Sequence, residues 1–274
     1  MIASRRLILT RALSGPTGAE PHADLPLTQS LAPQWHRVHW PLIAIEPVTD
    51  AATVQGLQQA WQDWPQWQAV MWVSAAAAQH FFSHRPQGQA WSSVQAWCTG
   101  PGTAKALLNL GVPAACLVHP KLGDPNWDSE ALWQLVQPTL RPGVPVLRVR
   151  GREHRATEVQ GQGRDWLSDQ LQAMNVPVHS VAAYERRAPT WSGAQREQAL
   201  HALTDGSVWW FTSSQAVEHL RGLLPHAKAT HLTQARAVVT HARIAQACLD
   251  WGWGHVVSSP PDEASVLKSI ESFA

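Results

Sequence analysis

Several side chains in this sequence can handle an anionic molecule, and they recur at a fixed spacing. Arg11 closes the run Leu7-Ile8-Leu9-Thr10-Arg11-Ala12, and Arg150 closes Val146-Leu147-Arg148-Val149-Arg150-Gly151, an offset of 150 − 11 = 139. A guanidinium at such a point can take a carboxylate through two parallel hydrogen bonds. Ser74 in Trp72-Val73-Ser74-Ala75 stands 139 residues before Ser213 in Phe211-Thr212-Ser213-Ser214 (213 − 74 = 139). Small hydroxyl residues between a strand and a helix leave backbone N–H groups free for an anion at the helix N-terminus, and ordinary capping uses the same hydroxyls. Tyr184, the only tyrosine of the chain, ends Ser180-Val181-Ala182-Ala183-Tyr184 and matches Ile45 at the same offset. Its phenol can act as a weak acid or as a hydrogen-bond donor.

Two further turns belong with these. Thr99-Gly100-Pro101-Gly102-Thr103-Ala104 resembles a phosphate-cradling loop but lacks the Lys-Ser/Thr of a P-loop and the full dinucleotide spacing. Its counterpart, Thr240-His241-Ala242-Arg243, puts Arg243 at a helix start, where the dipole disfavours a cation unless an anion or an ion-pair partner is near.

Other chemistries fail on their signatures. No GxSxG marks a serine nucleophile, no paired carboxylates mark a glycosidase, and Asp and Glu are thin near the strand ends. The 14 His are scattered without HExxH or similar ligand spacing, so no metal site is expected. With 21 basic against 20 acidic residues the chain lacks the basic excess of a nucleic-acid binder. Three cysteines without paired spacing fit free thiols in a reducing compartment, and no apolar run reaches the roughly 18–20 residues of a membrane span. The expectation is a soluble, cytoplasmic protein, monomeric by default, with no nucleic-acid or membrane partner.

Short apolar runs alternate with helical patterns along the whole length, which predicts parallel sheets covered on both faces. Strands are expected at residues 5–11, 38–45, 69–74, 93–99, 145–149, 177–184, 207–212, 237–240 and 255–258. Helices are expected at 75–82, 103–110, 165–174, 195–204, 214–223 and 244–251. A weak helical stretch is read at 24–35, a helix is expected after an Asp50 N-cap, and Pro260-Pro261-Asp262 should open a last helix with proline in its first turn. In such sheets ligands sit outside the carboxyl ends of the strands, where the repeated residues fall. The duplication therefore predicts two similar lobes with a cleft for function between them.

In the order and spacing of these pieces the chain resembles the uroporphyrinogen-III synthase family, over nearly its whole length. The resembling pieces are Thr10-Arg11, Ser74, Gly100-Pro101-Gly102-Thr103-Ala104 with Gly111, Arg150-Gly151, Ala183-Tyr184-Glu185-Arg186-Arg187, Phe211 to Val217, and Thr240 to Gly252 with Pro260-Pro261. The resemblance implies an α/β fold of two flavodoxin-like lobes joined by a two-stranded antiparallel connection. One lobe would take residues 1–40 and 185–274, the other 41–184. It implies a cofactor-free lyase that cyclises hydroxymethylbilane, a linear tetrapyrrole with eight carboxylates, to uroporphyrinogen III with loss of water and inversion of ring D. Tyr184 would be the acid. Thr10, Arg11, Ser74, Gly100, Thr103, Arg150, Gly151, Thr212, Ser213, Ser214, Thr240 and Arg243 would hold substrate. Ala75-Ala76 and His241-Ala242-Arg243-Ile244 depart from the family's more polar versions of those turns. A transient hand-over of the unstable substrate from the preceding pathway enzyme is a further expected partner contact. The reading left open beside this one is a non-catalytic two-lobed protein that binds an anionic ligand, or an inactive homologue.

Overall fold

In a computed structural model the described residues are 5–12, 35–121, 128–153, 166–260 and 262–273. Eleven strands are seen among them: β1 (Arg5–Leu9), β2 (Trp35–His39), β3 (Ala44–Pro47), β4 (Ala69–Trp72), β5 (Gln95–Trp97), β6 (Leu117–Val118), β7 (Val146–Glu153), β8 (Val178–Arg187), β9 (Val208–Phe211), β10 (Arg236–Val239) and β11 (His255–Ser258). The helices are α1 (Ala51–Gln62), α2 (Ala75–Phe82), α3 (Pro101–Asn109), α4 (Ser129–Val136), α5 (Trp166–Ala173), α6 (Gly193–His201), α7 (Ser214–Leu223), α8 (Ala229–Leu232), α9 (Ala242–Trp251) and α10 (Glu263–Glu271).

The chain divides into two compact units. Among the described residues the first holds the N-terminal strands up to Ala44 and everything from Arg187 onward, and the second holds Ile45–Arg186. The first unit is built on a sheet of order β11-β10-β9-β1-β2, the second on a sheet of order β3-β8-β7-β4-β5-β6. Neighbouring strands pair in parallel from β11 through β2 in the first sheet and from β8 through β6 in the second. Leaving aside the edge strand β3, the two orders are the same once β1, β2, β9, β10 and β11 are set against β7, β8, β4, β5 and β6. The spacing seen in the sequence holds to the residue for one pair: β4 and β9 begin 208 − 69 = 139 and end 211 − 72 = 139 residues apart.

Parallel strands need both faces covered, and each sheet has two apolar clusters. In the second unit Leu147, Val149, Ala183 and Tyr184 pack with Trp61, Trp72 and Phe81 on one face. Val146, Met71 and Trp97 pack with Leu132, Trp133, Leu167 and Leu171 on the other. The first unit sets Trp209, Phe211 and Val239 against α7 and α9 on one face, and Leu7, Leu9 and Trp210 against Val266 and Ile270 on the other. Much of the tryptophan content therefore serves packing, each fully buried apolar side chain adding about 1.5–3 kcal/mol. Among the buried indoles, Trp61 donates to the Phe81 carbonyl and Trp67 to that of Ala60, both at 3.0 Å, whereas those of Trp35, Trp64, Trp72, Trp210 and Trp253 find no acceptor among the described residues.

The structure corrects some expectations. The strand read over Val38–Ile45 is two strands in two sheets: after β2, Trp40 and Leu42 still donate backbone hydrogen bonds to Leu9 and Thr10, both at 3.0 Å. Pro41 lies between them without an N–H to give, and the ladder ends before β3 begins. The last helix starts at Glu263 with Asp262 as its cap, so Pro260 precedes the cap and does not enter the first turn. The helical stretch read at 24–35 falls outside the described residues except for Trp35, which begins β2.

Thr10 is buried, and its hydroxyl donates to the Trp210 carbonyl at 2.7 Å, joining β1 to β9 across 200 residues of sequence. Thr10→Val should lower stability by about 1–3 kcal/mol, because that buried acceptor loses its donor. The urea midpoint of the variant against the parent protein checks this.

Candidate functional site

β8 runs beside β7 from Val178 to Arg186, and the pairing is interrupted once. Arg150 stands opposite Ala182, but Gly151 stands opposite Tyr184, so Ala183 is an extra residue and the register shifts there. A β-bulge of this kind bends the strand and re-aims the side chains that follow it. Here it places Tyr184, 5% exposed, over Gly151. A β-carbon on Gly151 would run into the Tyr184 ring, with the phenol oxygen only 2.8 Å away. Glycine is required at this point for close approach, whatever else it does.

The Tyr184 hydroxyl lies 3.3 Å from the Ser74 hydroxyl. Ser74 is the N-cap of α2 and accepts the Ala77 N–H at 3.1 Å. With its oxygen engaged by the cap, the serine hydrogen is free to point at the phenol oxygen, which leaves the phenol's own hydrogen for another acceptor. The His80 ring, one turn further along α2, is 5.8 Å from the Tyr184 ring. Burial, and then the nearby His84, hold His80 below its ordinary value of 6.5, so it is neutral at neutral pH.

Cations surround this end of the second unit. Arg148, Arg150 and Arg152 follow one another along β7. Burial, and then Arg150, lower Arg148 from the ordinary guanidinium value, while burial and then Arg186 lower Arg150. Both remain charged at neutral pH, since a guanidinium does not lose its proton in proteins. Among the described residues Arg150 has no carboxylate partner. Arg152 is paired: its Nη2 meets Glu185 at 2.5 Å and also Asp50, and its Nη1 donates to Thr53 at 2.8 Å.

Ser74, Gly151 and Tyr184 are thus brought together around the phenol, with Arg150 adjacent to Gly151 in the strand. Gly100 is the N-cap of α3 without a side-chain bond, and Thr103 is buried in its first turn. In the first unit Thr10 is taken up by packing and Arg11 is exposed. Thr212 is exposed, and Ser213 caps α7 without a side-chain hydrogen bond, unlike Ser74. Thr240 is half-buried before the His241 cap of α9, and Arg243 is exposed in that helix's first turn. Sequence reasoning missed Arg152, Glu185, Asp50, Thr53 and His80 as parts of the site. The alternation Arg148, Arg150, Arg152 was the available signal for the first of them.

Other chemistry is less well served. Burial pushes the Cys98 and Cys248 thiols up to about 12, which makes them poor nucleophiles. No group of three His, Cys, Asp or Glu among the described residues is arranged to hold a metal ion, and no helix among them is long and apolar enough to cross a membrane. A cavity of about 500 Å³ in the first unit is lined by Arg221, Leu224, Trp251 and Gly252, at the carboxyl ends of α7 and α9, away from the strand–helix turns. Gly151→Ala should displace the Tyr184 ring and cost about 1–3 kcal/mol through overpacking. A thermal melt together with a crystal structure of the variant checks both.

The sequence profile of the family described as Uroporphyrinogen-III synthase HemD matches residues 32–268 of the chain. Among solved structures, uroporphyrinogen-III synthetase from Helicobacter pylori aligns with a TM-score of 0.56 at 15% identity, covering 98% of this chain and 100% of the other. A mutant uroporphyrinogen III synthase from the extremely thermophilic bacterium Thermus thermophilus aligns at 16% identity over 98% and 96% of the two chains, with a TM-score of 0.46. No curated protein matches in sequence. The likeness to the Helicobacter pylori structure speaks for the fold, and the profile spans more than four-fifths of the sequence. The chain belongs to the uroporphyrinogen-III synthase family, lyases of porphyrin biosynthesis.

Proposed function

We propose that this chain cyclises hydroxymethylbilane to uroporphyrinogen III and that Tyr184 is the acid that starts the reaction. The observation that carries the role of Tyr184 is its buried phenol, seated on Gly151 and within hydrogen-bond reach of Ser74. Loss of the ring A hydroxyl needs one proton, which the phenol donates, so that the hydroxyl departs as water and an electrophilic azafulvenium cation remains, its pyrrole N–H retained. The Ser74 hydroxyl then steadies the phenolate. Ring D attacks through its substituted carbon to give a spiro intermediate, which fragments and recloses with that ring inverted. The proton released at the final closure restores the phenol. No electrons are exchanged with an outside carrier, so the reading requires no cofactor.

Unassisted closure favours the unsubstituted carbon, so most of the work is orientation and selective stabilisation of the spiro-like transition state. Arg150, with no carboxylate of its own among the described residues, is suited to an acetate or propionate group. Arg11, Gly100, Thr103, Thr212, Ser213, Ser214, Thr240 and Arg243 are proposed as further contacts to the substrate's eight carboxylates.

The test is to supply freshly made hydroxymethylbilane and separate the oxidised products. Purified protein should yield chiefly the type III isomer. An isomer ratio equal to that of the spontaneous reaction would overturn the assignment. Tyr184→Phe should lower kcat by about 100-fold, within the range for loss of a general acid, with the melting temperature little changed. Full activity in that variant would remove Tyr184 from the mechanism.

A further inference from the structure

The register shift between β7 and β8 raises the question of what holds it. Regular pairing would set Gly151 opposite Ala183 and Arg152 opposite Tyr184. A slip of one residue turns every side chain beyond it to the other face, so the shifted register has to be specified by particular contacts. Only three cross-strand pairs follow the shift: Gly151 with Tyr184, Arg152 with Glu185, and Glu153 with Arg186. The middle pair is the one with built chemistry. Glu185 is 7% exposed, and both Nε and Nη2 of Arg152 reach its Oε1, at 3.1 and 2.5 Å. The same guanidinium donates to the Thr53 hydroxyl and to the Asp50 carboxylate at the N-terminus of α1. Asp50 in turn accepts from the Thr53 backbone N–H at 2.9 Å and hydroxyl at 2.7 Å. One arginine therefore ties β7, β8 and α1 together immediately beside Tyr184.

We propose that Arg152 and Glu185, with Asp50 and Thr53 behind them, are positioning residues that lock β8 in its shifted register and so hold the Tyr184 phenol against Gly151 and Ser74. Neither needs to touch substrate. Adjacent residues of a strand project to opposite faces, so Glu185 is gripped on one side while Tyr184 is presented on the other. The link to turnover rests on the reading of Tyr184 as the acid, whereas the link to ring placement does not.

Because the chain contains one tyrosine, full-length protein grown with tyrosine labelled at Cζ gives a single carbon resonance that reports Tyr184 directly. The variant to compare is Arg152→Met with Glu185→Met, since removing both charges at once avoids leaving one buried and unpaired. Glu185→Gln is the milder companion should the double variant fold poorly. In the ligand-free double variant the Tyr184 resonance should move or split, and kcat should fall about tenfold with KM within twofold, as expected for a displaced reacting group. Arg152→Lys, which keeps a charge opposite Glu185, should recover part of that loss. A folded variant whose tyrosine resonance superimposes on that of the parent would overturn the proposal, whatever its turnover. A shifted resonance with full turnover would uphold the positioning and instead sink the role of Tyr184.

Discussion

Where the Tyr184 ring rests on the backbone of Gly151 there is no space for a β-carbon, and several features of the second unit follow from that contact. The ring can lie there only because an extra residue, Ala183, shifts the pairing of β8 against β7. The shift in turn leaves a short stretch of ladder beyond it, which an ion pair between Arg152 and the buried Glu185 closes. On the other side the phenol oxygen reaches the serine that caps α2. A strand irregularity, a glycine, a helix cap and a salt bridge are thus one arrangement, and each has a physical reason to be where it is. Burial of the tyrosine within a strand, and not on a loop, gives the phenol a fixed direction.

The electrostatics of this end are lopsided. Arg148 and Arg150 lie on neighbouring positions of one face of β7, and burial together with repulsion from a nearby arginine works against the charge of each. Arg152 differs, because hydrogen bonds to Glu185 and Asp50 outweigh its burial and hold its charge more firmly than usual. Thr53 does the most to hold Asp50 down to about 2, so that carboxylate stays ionised well into the acid range. The charge of Arg150, partly desolvated and without a carboxylate among the described residues, suits a strongly acidic ligand, which is the class of molecule that the proposed function requires.

Much of the architecture was legible in the residues. Apolar runs such as Ala69–Trp72 and Val208–Phe211 lie buried in the sheets, and the helices from Ala75 and from Ser214 begin and end where the sequence placed them. These are strong local signals: continuous apolar strands with a small polar residue leading into the helix. Helix α4 was missed although Asp128 caps it through the Ala131 N–H, because proline, glycine and tryptophan around it blur the periodicity. The region after Val38 was misread because a largely apolar run hides a change of sheet between Leu42 and Ala44. At the candidate site the tyrosine, the serine and the glycine stood out as residue types in suggestive places. Their contacts did not, since a register shift leaves no mark in composition and the Arg152–Glu185 pair joins positions 33 apart in sequence.

Each repeat of the sequence contains two strands followed by three, leaving β3 aside, yet neither repeat forms a sheet by itself. The opening pair β1 and β2 is completed by β9, β10 and β11 from the far end, while β7 and β8 complete the sheet begun by β4, β5 and β6. A ribosome making this protein therefore releases a closed inner body once residue 186 has emerged, whereas the first strand must wait for the last third of the chain before it finds a neighbour on its β9 side. Such long-range closure is slow by nature, because the entropy of bringing distant segments together is lost before their contacts form. An ancestral gene of half this length, read as one repeat, could have completed both sheets only by exchanging segments with a second copy.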